Sequence, residues 1–113
     1  LTHYMLAKCC RLISNLVVYP KNMKANLELT NGLVFSQAVL LHLVKQGLPR
    51  EEAYALVQEA AMQCWESGTP LLDHILADSR ITALLPASEI KDIFSYDRYL
   101  RHVDAIFKRC GII

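Results

Sequence analysis

An all-α domain of about six or seven helices is what this sequence predicts, and three observations carry the prediction. Two Gly-x-Pro steps, Gly47-Leu48-Pro49 and Gly68-Thr69-Pro70, each mark a helix end followed at once by a helix start, because glycine suits the residue past a C-terminus and proline the first turn. Apolar residues recur at three-to-four spacing through most segments, the period of a helix with one buried face. No segment shows the sustained two-residue alternation between turn signals that marks a half-buried strand.

From Leu1 to Val17, the residues Leu1, Met5, Cys9, Leu12, Ile13 and Leu16 form an apolar stripe with Lys8, Arg11 and Asn15 opposite. This helix lacks an N-cap, which is expected where a cut falls inside a longer helix, and Val18-Tyr19 before Pro20 ends it, since a residue preceding proline leans to extended backbone. Pro20 opens a short second helix near Met23 to Leu27. Thr30-Asn31-Gly32 is a turn, after which Leu33, Val34, Phe35, Ala38, Val39, Leu40, Leu41, Leu43 and Val44 surround a helix on nearly every side. That helix is expected to be the most buried.

Pro49-Arg50-Glu51-Glu52 places two carboxylates in a first turn, where the helix dipole favours each by roughly 0.3 to 1 kcal/mol. The long helix that follows to Glu66 or Ser67 shows a stripe of Tyr54, Val57, Ala61, Cys64 and Trp65, expected to face inward, and a polar side of Glu52, Ala55, Glu59, Gln63 and Glu66. Thr69 is expected to cap a helix beginning at Pro70 and carrying Leu71, Leu72, Ile75 and Leu76. A short apolar piece from Ile81 to Leu85 follows, then a turn or two after Pro86. Tyr99, Val103, Ile106, Phe107 and Cys110 predict a terminal helix with Asp104 and Lys108 spaced for an ion pair, closed by Gly111.

A chain of 113 residues has room for one modest core. Its hydrophobic content of 53% and mean hydropathy of +0.22 exclude disorder and exceed what so small a domain easily buries, which points to contact with partner protein. Twelve basic and eleven acidic residues are spread along the chain for a net charge of +1, so no basic face for nucleic acid is expected. The longest nearly apolar run, Leu33 to Leu43, is interrupted by Ser36, Gln37 and His42 and falls short of the ~20 residues of a membrane span. Leu1-Thr2-His3 begins no secretion signal. Cys9, Cys10, Cys64 and Cys110 form no C-x-x-C pair, and the place of three of them, Cys9, Cys64 and Cys110, on apolar stripes reads as buried, reduced thiols of a cytoplasmic protein.

Each candidate constellation has a structural reading beside the chemical one. His3, His42, His74 and His102 lie on separate elements, without the tight ligand spacing of a zinc site. Spacing alone leaves open a Cys-His nucleophilic pair, Cys64 with His74 or Cys110 with His102, although cysteines on apolar stripes are more often packing. Ser36 and Gln37, placed in the most apolar helix, belong either at a subunit or active-site surface or, the simpler reading, bonded to backbone at a neighbouring helix end. Arg98, Arg101, His102, Lys108 and Arg109 could meet an anion, but with Asp97 and Asp104 interleaved they read first as a solvated face. Phosphate loops, paired catalytic carboxylates and nucleophile elbows are absent from the sequence.

The string Val18-Tyr19-Pro20-Lys21-Asn22-Met23, followed by Asn26-Leu27, Thr30, Gly32-Leu33 and Phe35-Ser36-Gln37, resembles the bacterial adenylosuccinate lyase family around a domain boundary. Arg50-Glu51-Glu52-Ala53-Tyr54, Val57-Gln58, Ala61-Met62, Trp65-Glu66 and Tyr99-Leu100-Arg101-His102-Val103-Asp104 with Ile106-Phe107 continue that resemblance in register. Pro49 and Ser95-Tyr96 depart from the commonest pattern, where Ser and Asp-Pro are frequent. The resemblance implies that residues 1–19 end a long helix of a central bundle and that 20–113 form the terminal helical domain. It further implies a cytoplasmic homotetramer of the fumarase and aspartase superfamily, needing no metal or organic cofactor, which eliminates fumarate from adenylosuccinate and from the related carboxamide ribotide. A serine on a flexible loop and histidines of other segments do that family's proton transfers, at a site shared by three subunits. None of those signature strings occurs here, so no catalytic, substrate-binding or metal-binding role carries over, and the fragment alone is expected to be inactive. Two other readings compete: the terminal domain of a related carboxymuconate cycloisomerase, and an independent helical interaction module with a groove for a partner helix.

Overall fold

The computed structural model describes residues 1–113, all helix and connection, with no strand. Nine α-helices follow in order: α1 (Thr2–Ser14), α2 (Pro20–Glu28), α3 (Ser36–Lys45), α4 (Arg50–Ser67), α5 (Leu71–Ala77), α6 (Ser79–Thr82), α7 (Ala87–Ile93), α8 (Asp97–Leu100) and α9 (Val103–Arg109). A 3₁₀ turn over Leu33–Phe35 leads into α3. The all-α expectation is met, with more and shorter helices than the apolar pattern alone indicates. No single helix is long and apolar enough to cross a membrane.

Both Gly-x-Pro corners form. Gly47 and Gly68 adopt left-handed φ of 99° and 71°, where glycine meets no Cβ penalty. At the first corner Leu48 N–H reaches back to the Leu43 carbonyl at 3.2 Å and Gly47 N–H to Val44 at 3.0 Å, the paired bonds that close a helix end. Pro49 and Pro70 sit one residue outside α4 and α5, as N-caps without side-chain bonds. Thr69 therefore does not cap α5: its hydroxyl turns to His74 instead.

The core is one cluster contributed by α3 (Ala38, Val39, Leu40, Leu43), α4 (Ala53, Val57, Ala60, Cys64), α5 (Leu71, Ile75), α6 and its exit (Ile81, Leu85) and α7 (Ile90, Ile93). No polar or charged residue is buried in it. The inward face of α4 is thus rotated from the stripe expected from sequence. Val57 and Cys64 do face in, but Tyr54 and Trp65 are 57% and 72% exposed, and Ala53 and Ala60 take their places. Both α3 and α5 pack against α4, and close approach on two sides favours small side chains over aromatic rings. The α3 helix is well buried but not all round, since Leu41 is 43% exposed.

The turn at Thr30-Asn31-Gly32 ties the core together. Asn31 is the one non-glycine residue with positive φ, 50°, followed by Gly32 at 85°. The Asn31 carbonyl accepts from Leu71 N–H at 2.9 Å, at the first turn of α5, and its side-chain amide donates to the Gly68 carbonyl at 3.1 Å. One residue thereby binds the end of α4 to the start of α5. Phe35, just beyond, stacks obliquely on Phe94 and Tyr96 with ring centroids 5.1 Å away in each case, and on Tyr99 at 6.1 Å. This aromatic group attaches α8 to the body.

Every residue from Leu1 to Leu29 is exposed, and so are all of α9's except Val103. The radius of gyration is 19.6 Å with extents of 60 × 31 × 25 Å, against about 13 Å for a compact chain of about 100 residues. Helices α1 and α2 therefore reach away from the core with their apolar stripes uncovered. Cys9, Cys10 and Cys110 are consequently exposed and only Cys64 is buried, which corrects the expectation of buried thiols: their stripes have nothing within the chain to pack on. The Asp104–Lys108 ion pair does not form. The pairs that do form are Lys24–Glu28 and Arg80 with both Glu59 and Asp78.

Asp78 caps α6 by accepting from Arg80 N–H at 2.9 Å while its carboxylate holds the Arg80 guanidinium at 2.6 Å. The side-chain hydrogen bonds from Arg80 lower the Asp78 pKa from its ordinary value. A depressed carboxyl pKa contributes stability that is present above the unfolded value, about 3.9, and lost as pH falls through the lower folded one. In urea unfolding, Asp78→Asn should therefore be less stable than the parent at neutral pH, with the gap closing as pH drops below about 4. Asn31→Ala should cost about 2 kcal/mol, from a lost bond and a residue poorly suited to left-handed backbone. Leu43→Ala, at a position with no exposure, should cost roughly 2 to 5 kcal/mol in the same measurement.

Candidate functional site

No three of the chain's His, Cys, Asp and Glu side chains cluster as metal ligands would. The four histidines are dispersed, as their sequence separation implies. Cys64 and His74 do not pair: the Cys64 thiol lies 3.8 Å from the Asn31 carbonyl, and burial pushes its pKa up, leaving it a poor nucleophile. Cys110 and His102 share no hydrogen bond either, because His102 Nε2 accepts from Arg101 Nε at 3.1 Å.

The densest polar cluster joins Ser67, Thr69 and His74 at the α4–α5 corner. Its proton arrangement follows from one fixed acceptor. Ser67 Oγ donates to the Gln63 carbonyl at 2.7 Å, and a carbonyl can only accept. Thr69 must then donate to Ser67 across 2.6 Å, and His74 Nε2 must donate to Thr69. An imidazole that donates to a hydroxyl cannot act as its base. The cluster is a corner lock, and it cannot activate either hydroxyl for attack.

A second polar concavity, of about 330 Å³, is lined by His42, Glu89, Asp92, Arg98 and Arg101. His42 Nδ1 is 2.7 Å from the Ala38 carbonyl and so carries the proton, which leaves the Arg98 guanidinium 3.5 Å away without an acceptor there. The basic residues read from sequence as one terminal helix are divided by the break between α8 and α9. Arg98 and Arg101 turn toward α3 and α7, whereas Lys108 and Arg109 lie in the last turn of α9, where the helix dipole favours cations. The acids Glu89 and Asp92 share the same walls, so the concavity has no uniform sign.

The largest concavity, about 430 Å³, lies where α3 meets α4. Here the structure brings together Ser36 and Gln37, the two polar residues singled out in the most apolar helix, with Arg50, Tyr54 and Gln58 of α4. Ser36 is half-buried and Gln37 exposed, and neither bonds to a neighbouring helix end, contrary to the simpler reading of the sequence. Leu40, Leu41, Val57 and Ala61 supply the apolar lining. Sequence reasoning missed Arg50, Tyr54 and Gln58. Their i, i+4, i+8 spacing marks one face of α4, and only the packing of α3 shows which face stays open.

The identity of the chain rests on its likeness to known proteins. A family described as the adenylosuccinate lyase C-terminus matches residues 32–110. The chain is similar to the adenylosuccinate lyase of Bacillus subtilis, 44% identical over 110 residues that cover 97% of this chain and 26% of that protein. Similarity extends to the enzyme of Helicobacter pylori strain 26695, 48% identical over 116 residues covering 94% of this chain and 26% of the relative. With the adenylosuccinate lyase of Thermotoga maritima the identity is 41% over 107 residues, 95% of this chain and 25% of the relative. The chain thus spans about a quarter of the length of the curated relatives it matches. With nearly its whole length aligned and the family match running from the Asn31–Gly32 turn to the end of α9, the chain belongs to the adenylosuccinate lyase C-terminus family.

Proposed function

We propose that this chain is the terminal helical scaffold of an adenylosuccinate lyase, a carbon–nitrogen lyase of purine biosynthesis that eliminates fumarate from adenylosuccinate and from the related succinyl carboxamide ribotide. In this reading the reacting groups belong to polypeptide preceding Leu1, and no residue of this chain is catalytic. The parent works as a cytoplasmic homotetramer without metal or organic cofactor. The observation that carries the reading is the uncovered apolar stripe of α1, with Met5, Leu12 and Ile13 at 60 to 74% exposure. A stripe of this kind in water gains about 25 cal/mol for each Å² it buries, and a helical bundle supplies a surface of the right form.

The elimination needs a base for the β-proton, an acid for the leaving nitrogen and donors for the developing negative charge. The proton of Ser67 is committed to the Gln63 carbonyl, that of Thr69 to Ser67 and that of His74 to Thr69, and burial favours the protonated form of the Cys64 thiol. These facts support a scaffold in place of a reaction centre.

Two measurements test the reading. The isolated chain should release no fumarate from adenylosuccinate, while the longer protein containing it turns over; turnover by the isolated chain would overturn the proposal. A thiol reagent should label Cys9, Cys10 and Cys110 of the isolated chain at once, and Cys64 only on unfolding. In the longer protein labelling within α1 should slow by at least about tenfold, because packing of that helix then limits access. Equal rates in both would show that α1 has no partner.

A further inference from the structure

The groove between α3 and α4 differs from the other concavities in being polar at its rim, apolar at its floor and internally uncommitted. None of the Ser36, Gln37, Arg50, Tyr54 or Gln58 side chains makes a hydrogen bond or ion pair within the chain. Arg50 is the single charged residue of the lining. It has no carboxylate to meet, unlike Arg80, whose guanidinium is held by both Asp78 and Glu59. Glu51 and Glu52 follow it in sequence, but neither lines the groove.

The chemistry of the rim defines what fits. A guanidinium presents a planar fork to a carboxylate. The primary amides of Gln37 and Gln58 each both donate and accept, as a peptide backbone requires. The floor of Leu40 and Val57 receives an apolar side chain, and Tyr54 at the edge supplies an aromatic wall. A small ligand normally has most of its surface enclosed, and this groove is open along its solvent side. Polypeptide suits it better.

We propose that the groove docks a carboxylate-bearing segment with an apolar anchor, belonging to the part of the longer polypeptide that precedes Leu1. The inference rests on the reading of this chain as a lyase C-terminus. About three quarters of each relative's length lies outside the matched region, so the occupant is available, and the positive rim specifies its charge. The docked segment fixes the terminal domain against the rest of the protein at a point separate from α1.

A photoreactive residue placed at Gln37 or at Gln58 of the full-length protein tests this, with Leu12 of α1 as the control position. Crosslinks from both groove positions should map by mass spectrometry to one upstream stretch containing Asp or Glu. Arg50→Glu should lower that yield by at least about fivefold, with Arg50→Lys keeping most of it, as for a charge pair; unchanged circular dichroism shows that both variants fold. Reversing the mapped acid to Arg should restore the yield in the Arg50→Glu background. Crosslinks from the groove to a second copy of the same groove, to nothing, or to a stretch whose yield ignores the Arg50 charge would overturn the proposal. If Leu12 crosslinks upstream while Gln37 and Gln58 do not, the groove inference fails and the scaffold reading stands. If Leu12 also finds no upstream partner, the scaffold reading fails with it.

Discussion

A single asparagine in left-handed backbone organises the packed part of this chain. Asn31 gives its carbonyl to the start of α5 and its amide to Gly68 at the end of α4, so the direction in which α5 leaves α4 is set by a residue 37 positions before that glycine in the sequence. Polar groups at helix ends must find partners, and here the orphan groups of two helices are met by one turn. The conformation suits asparagine, which tolerates left-handed φ better than most residues with a Cβ, and Gly32 behind it completes the reversal.

With that corner fixed, the rest of the core follows from volume. Helix α4 lies between α3 and α5, and it presents alanine, valine and cysteine inward, so both neighbours approach closely. The cost of that arrangement is that Tyr54, Met62 and Trp65 remain outside. Together with the bare stripe of α1 and the exposed Tyr99, Ile106 and Phe107, they account for the chain's high apolar content: a large part of it lies on surfaces and not in the core. A free-standing domain with this much uncovered apolar surface would be prone to association.

The groove between α3 and α4 was only partly legible in the sequence. Ser36 and Gln37 stood out because hydroxyl and amide groups in an apolar helix require an explanation. Arg50, Tyr54 and Gln58 did not, since arginine, tyrosine and glutamine on a long helix are ordinary surface residues until a neighbouring helix turns them into the wall of a groove. The opposite holds for the cysteine–histidine pairs: spacing allowed them, and the hydrogen bonds of Asn31, Thr69 and Arg101 assign Cys64, His74 and His102 elsewhere.

The sequence by itself determined the helical class, the two Gly-x-Pro corners, the turn at Thr30–Gly32 and the ordered strings that place the chain in its family. These are local matters, decided by backbone sterics, proline's missing N–H and the period of the helix. Only the tertiary structure decided which face of α4 is buried, which thiols are shielded and where α8 breaks from α9. Periodicity names a candidate stripe, but burial depends on what stands opposite, and for α1, α2 and α9 nothing within these 113 residues does.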